Sequence, residues 1–257
     1  MWMSSCSARE SESEEDARPE SLPQESGSSV DTVAKSDSAI LPQSADAGAA
    51  YIDSFIFLGE STTYHLKSRG VLSGGENTLQ VWAPRSGTMM LDHSISQAQI
   101  IYPESNSEIA LADAVALKKP KYMLLTFGLN GAVRSVSKGA EYYKGCYSKL
   151  ISTIKTASPE TVVIIQSCFP VANNMDTSSY NVSASELNCY IDTLNGWASE
   201  LANEIGAKYL NTSEILKNDY GFLKDEYQVG DGYHLTRAAY EKILYYIRTH
   251  AIAEVAE

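Results

Sequence analysis

The sequence predicts an α/β domain built on a mainly parallel, five-stranded sheet. Three observations predict it. Short runs of Val, Ile, Leu, Phe and Tyr lack polar alternation, as in strands covered on both faces. Amphipathic stretches at helical spacing separate those runs, the pattern of βα repeats. The helical stretches also carry caps and breakers at their expected ends.

Taken in order, the predicted strands are 55–58, 79–82, 122–127, 161–167 and 207–210. A helix is expected over 107–119, because Lys118-Lys119 supplies positive charge at its end and Pro120 stops it. A second helix follows from the spacing of Tyr142, Cys146 or Tyr147, Leu150 and Ile154. Ser183-Ala184-Ser185-Glu186 reads as a capping box, with Leu187, Tyr190, Ile191, Leu194, Trp197, Leu201 and Ile205 on one face and Gly206 as the stop. Thr236 caps a last helix whose inner face is Tyr240, Ile243, Leu244 and Ile247. Between Gly70 and Pro103 the pattern is weaker. A short strand is expected over 88–91, paired as a hairpin with 79–82, and 93–101 carries no assignment.

The chain has 257 residues, 44% hydrophobic, enough for a full core. No apolar run approaches the roughly 20 residues of a membrane-spanning helix. Its formal charge is −12, from 20 Lys and Arg against 32 Asp and Glu, so its surface repels phosphate backbones and nucleic acid is excluded as an expected partner. Residues 1–50 hold ten of the acids, three bases and twelve serines. They read as a disordered Ser/acidic tether, because so polar a segment cannot offset its chain entropy by burial. Residues 51–257 form the single expected domain.

Four cysteines form neither a disulfide framework nor a metal pattern, and no cofactor or metal is expected. Cys168 and Cys189 are left open, as a pair in an exported chain or as two thiols. Met1-Trp2-Met3-Ser4-Ser5-Cys6-Ser7 resembles the end of a bacterial lipoprotein signal, without its apolar core. That resemblance implies a lipid anchor at Cys6 and an extracellular or cell-surface protein; the alternative is a cytoplasmic protein with a polar tail.

In an open parallel sheet, ligands bind beyond the carboxyl ends of the strands. The first strand is followed there by Gly59-Glu60-Ser61-Thr62-Thr63, and the third by Gly128-Leu129-Asn130-Gly131. The mouth of the last helix carries Asp231-Gly232-Tyr233-His234. Taken alone, Ser61 would be a helix cap and Asn130 a turn residue. Together these residues are the inventory of serine acyl transfer. A serine needs a neutral imidazole to take its proton, the imidazole needs a carboxylate to fix its tautomer, and the developing oxyanion needs donors aimed at it. Ser61, His234 and Asp231 would fill the first three roles, and the Ser61 N–H with the Asn130 amide the last. His65, four residues after Ser61, is in position to line the cleft, but it, His93 and His250 are all expected to be structural or exposed.

At these residues the chain resembles the SGNH/GDSL hydrolases. Their Gly-Asp-Ser block is similar to Gly59-Glu60-Ser61, their Gly-x-Asn-Asp block to Gly128-Leu129-Asn130-Gly131, and their Asp-x-x-His block to Asp231-Gly232-Tyr233-His234. The chain departs from that pattern at Glu60 and Gly131, where the family has Asp. The family's second block supplies a glycine N–H to the oxyanion hole, and Gly87 in Arg85-Ser86-Gly87-Thr88 is the candidate for it. The resemblance implies a flavodoxin-like, three-layer α/β/α domain that hydrolyses esters. A Ser61-His234-Asp231 triad and an oxyanion hole of Ser61, Asn130 and Gly87 go with it. The expected substrate is a short acyl ester, acetyl above all, on a carbohydrate. A thioesterase or lysophospholipase on the same triad, or a glycan-binding module without turnover, are the alternatives.

Overall fold

A computed structural model describes residues 38–253 of the chain. Most of the expected tether, and Cys6, the expected site of a lipid anchor, lie outside the described residues.

The sheet is built by β1 (Phe55–Gly59), β2 (Val81–Trp82), β5 (Tyr122–Thr126), β6 (Val162–Gln166) and β7 (Lys208–Leu210). All four pairings are parallel, in the spatial order β2-β1-β5-β6-β7. This is the flavodoxin-type order, with its reversal between β1 and β5. Side chains alternate between the two faces of each strand. Ile56, Leu58, Met123 and Leu125 join one core, and Phe55, Phe57, Tyr122 and Leu124 join the other. Both faces are covered, which is why the strand sequences are apolar throughout.

The first core is closed by α3 (Leu111–Lys118), α4 (Ala132–Lys138), α5 (Ala140–Ala157) and α6 (Ala184–Ile205). The second is closed by α1 (Ala49–Asp53), α2 (Ser61–Ser68), α7 (Ser213–Leu216) and α8 (Arg237–Arg248). The result is the three-layer α/β/α arrangement that the family resemblance implies. The caps at α6 and α8 form as expected: Ser183 Oγ accepts from the Glu186 N–H at 3.1 Å, and Thr236 Oγ1 from the Ala239 N–H at 3.3 Å.

Three expectations are corrected. Residues 107–110 do not begin a helix but form β4 (Ser107–Ala110), antiparallel to β3 (Gln99–Tyr102). Ile100 and Tyr102 enter the first core from that hairpin, and the β3 backbone docks on β2 through the Ile101 N–H and Ala83 O at 2.9 Å. Pairing of 107–110 with β3, rather than burial of their own side chains, outweighs helix propensity in so short a stretch. Residues 88–91 are a loop rather than a strand, and the edge they were expected to pair with is met by β3.

Residues 38–50, expected to belong to the tether, instead pack on the domain. Ala39 O and the Leu41 N–H each bond the Tyr209 backbone at 2.9 Å, covering the open edge of β7, and the Ala39 and Leu41 side chains are buried. Ser44 and Ala47 then give their N–H groups to Thr249 O and Arg248 O at the end of α8, carbonyls that the helix itself leaves unpaired. Cys168 and Cys189 are both free, the first buried and the second exposed. Among the described residues no helix is long and apolar enough to cross a membrane.

Candidate active site

The strand order reverses between β1 and β5, so the loops leaving those two strands diverge and open a crevice. Ser61 enters it from the end of β1 as the first residue of α2. Glu60, not Ser61, takes the N-cap position, so the Ser61 hydroxyl is not used as a helix cap and faces His234 instead. Gly59 is required at the strand end, because a Cβ there would lie 2.3 Å from Thr126 O on β5.

Asp231 and His234 come from the loop before α8. That loop is braced by Gln228 Oε1, which accepts from the Gly232 N–H at 3.1 Å, and by pairing of the Val229 N–H with His234 O at 3.0 Å. Gly232, at φ +87°, approaches residue 175 so closely that a Cβ would lie 2.6 Å from Met175 Cα. Its carbonyl accepts from the Ala172 N–H at 2.7 Å.

The three polar groups meet in one line. His234 Nδ1 lies 2.7 Å from Asp231 Oδ2, and His234 Nε2 lies 3.0 Å from Ser61 Oγ, across 173 residues of chain. The carboxylate holds the proton on Nδ1, so Nε2 is left to accept from the serine hydroxyl. Partial burial works against the Asp231 charge, but the N–H groups of His234 and Tyr233 and the His234 ring outweigh it and hold the carboxyl below its ordinary value. The His234 ring is flanked by Tyr233, with centroids 4.0 Å apart, and by His65 at 4.3 Å. Burial, reinforced by His234 and Arg69, lowers His65 to about 4, so it packs there as a neutral ring. His65 belongs to the site rather than to the exposed surface, and its position four residues after Ser61, one helical turn, is the signal that marks it.

Asn130 arrives from the loop after β5. Its amide nitrogen donates to Thr88 Oγ1 at 2.9 Å and to Met89 O at 3.1 Å. Thr88 Oγ1 also accepts the Ser61 N–H at 3.1 Å. Gly87 does not serve as the expected donor: its N–H is committed to Pro84 O at 2.9 Å, closing a tight turn, and at φ +74° it lies against the Tyr64 ring. The residue that reaches the serine and asparagine donors is its neighbour Thr88, through its side chain.

Glu60 is buried and supports the Asn130 loop. Its Oε1 accepts from the N–H groups of Gly128 at 2.9 Å and Asn130 at 3.0 Å. Burial raises its pKa to about 7 even though these N–H groups, with that of Leu129, favour the charged form. The longer side chain in place of Asp therefore still reaches the loop after β5.

A serine hydroxyl, an imidazole and a carboxylate in sequence at the carboxyl edge of a parallel sheet are the parts of a serine-type acyl hydrolase. The family model of the GDSL-like lipases and acylhydrolases matches residues 57–242, and the chain belongs to that family. It is accordingly a hydrolase acting on esters. No protein of curated function matches the chain by sequence. Among solved structures, the chain is similar to one named for platelet activating factor from Streptococcus pneumonia, with 16% identity, 76% of this chain and 82% of that one covered, and a TM-score of 0.54. It is also similar to a structure assigned to the acylhydrolases from Bacteroides fragilis, with 15% identity, 81% and 88% covered, and a TM-score of 0.51. A third, assigned to the lipolytic G-D-S-L family and from Desulfitobacterium hafniense, shares 12% identity over 77% and 98%, again with a TM-score of 0.51. At these identities the likeness is one of fold.

Proposed function

We propose that the protein removes short acyl groups, acetyl foremost, from hydroxyls of a carbohydrate, with Ser61 as nucleophile, His234 as general base and Asp231 orienting the imidazole. The observation that carries the reading is the pair of contacts at His234, 2.7 Å to Asp231 and 3.0 Å to Ser61. Ser61 Oγ attacks the ester carbonyl as its proton passes to Nε2. The Ser61 N–H and Asn130 amide receive the oxyanion, and the imidazolium returns the proton to the departing alcohol. A water then attacks the acyl-serine, His234 again taking the proton.

Two features support a short acyl group and a polar alcohol. The enclosed cavity beside Glu60, Thr62 and Tyr233 has a volume of about 10 Å³, no more than one water occupies, so it offers no channel for a long chain. An open cleft of about 470 Å³, lined by Tyr64 of the helix that starts at Ser61 but by none of the triad, mixes Lys67, Asn77, Thr78, Arg85 and Asn106 with aliphatic residues such as Leu79 and Ile101, a surface that a sugar can meet with both its hydroxyls and its apolar face.

A fluorophosphonate probe tests the nucleophile without a guess at the substrate. Labelling mapped to Ser61 and lost in Ser61→Ala and His234→Ala is the expected result; labelling elsewhere, or none, overturns the reading. The acyl preference is tested on p-nitrophenyl esters of increasing length, with kcat/KM highest at acetyl and falling beyond butyryl. A maximum at long chains would transfer the assignment to a lysophospholipase-type substrate. Release of acetate from acetylated oligosaccharides tests the alcohol.

A further inference from the structure

An oxyanion hole is the point lying about 2.7–3.1 Å from donors that converge on it. In this protein the Ser61 N–H and the Asn130 amide do converge, and an oxygen already sits at the crossing. Thr88 Oγ1 is 3.1 Å from Ser61 N and 2.9 Å from Asn130 Nδ2. We propose that the Thr88 hydroxyl is the resting occupant of the oxyanion hole, a plug that must turn out before an ester carbonyl can enter. The inference rests on the proposed roles of Ser61 and Asn130.

The surrounding chain explains how the plug is delivered. The turn ending at Gly87 is closed by its N–H on Pro84 O and packed against Tyr64, and Ser86 Oγ donates to Thr88 O at 3.1 Å. The backbone there is braced, whereas the Thr88 side chain is only half-buried and turns about a single bond. Asn130 is held at its other hydrogen by Met89 O, so its amide stays aimed at the hole when the hydroxyl leaves.

The exchange is graded by charge. A neutral ester carbonyl and a neutral hydroxyl are comparable acceptors, so the plug opposes the entry of substrate. The oxyanion of the tetrahedral intermediate accepts about twice as strongly and displaces it. Thr88 thus slows every ester by the net cost of exchanging its own hydrogen bonds to the two donors for those of the substrate oxygen, about one net hydrogen bond, and it keeps the donors satisfied in the empty enzyme.

The test measures fluorophosphonate labelling of Ser61 and kcat/KM on p-nitrophenyl acetate in wild type, Thr88→Ala and Thr88→Ser. Removing the hydroxyl raises both rates about three- to tenfold, the worth of one net hydrogen bond. Thr88→Ser, which restores the hydroxyl, loses that gain. A merely structural threonine would not give a faster enzyme when truncated. Rates unchanged in Thr88→Ala overturn the proposal, and so does a fall rescued by serine, which would make Thr88 an oxyanion donor. A crystal structure of the wild-type phosphonyl adduct provides a check that needs no variant. The phosphonyl oxygen should stand within 3.1 Å of Ser61 N and Asn130 Nδ2 with Thr88 Oγ1 turned away, and a Thr88 still bridging the two donors would end the idea. Equal labelling of wild type and Thr88→Ala removes only the plug; no labelling of Ser61 in any of the three proteins removes the catalytic reading and the plug with it.

Discussion

Glu60 offers the sharpest quantitative test of the site. It stands where the family has Asp, is buried, and spends one oxygen on the N–H groups of Gly128 and Asn130. The ionisable groups around it include Tyr143, Tyr147 and Cys168, each held neutral by burial, so none of them offsets its charge. The rise of its pKa from an ordinary 4.5 to about 7 means that the native protein keeps a proton there which the unfolded chain has released. Native stability must therefore fall as pH rises between these two values. At roughly 1.4 kcal/mol per pH unit the loss amounts to about 3 kcal/mol. Glu60→Gln keeps an oxygen acceptor for both N–H groups and cannot ionise. Urea unfolding of both proteins at a series of pH values from 4 to 8.5 isolates the effect, because every other carboxylate is common to the two. The variant should gain about 3 kcal/mol on wild type between pH 4.5 and a little above 7, and then hold that gain. A difference that stays flat across this range would refute the reasoning, since Glu60 would then ionise in the fold as readily as in water.

Other perturbations read other parts of the site. Asn130→Ala removes an oxyanion donor and should lower kcat on p-nitrophenyl acetate about 10²–10³-fold with little change in KM; a change confined to KM would assign Asn130 to ground-state binding. Asp231→Asn should cost roughly 10⁴-fold in kcat while leaving the melting temperature nearly unchanged, because it spoils the tautomer of His234 rather than the packing. Gly232→Ala forces a Cβ toward Met175 Cα at positive φ, and should destabilise the protein by more than about 2 kcal/mol in denaturant unfolding, with kcat falling as the Asp231–His234 loop shifts. Leu41→Ala should cost about 2–3 kcal/mol by the same measurement, whereas an unaltered midpoint would mean that the segment beside β7 adds nothing to the fold.

What the sequence by itself determined was the fold class and the inventory of the site, because both are written in short-range patterns. Apolar runs without alternation require two covered faces, and the helices carry their own stops and caps, as at Ser183 and Thr236. Ser61, Asn130, Asp231 and His234 stood out because each follows a strand or opens a helix at the edge where ligands bind. The tertiary structure alone decided what depends on partners distant in the chain. Residues 107–110 are strand because 99–102 lies beside them, and 39–41 are ordered because Tyr209 presents an open edge. Glu60 holds its proton because the fold removes it from water. The sequence pointed to Gly87 alone as the second-block donor, and only the fold showed that its N–H is spent on Pro84 and that the Thr88 hydroxyl lies between Ser61 and Asn130. A local sequence pattern specifies the conformations that a segment can take, whereas the free energy that selects one of them comes from contacts that form only when the chain has folded.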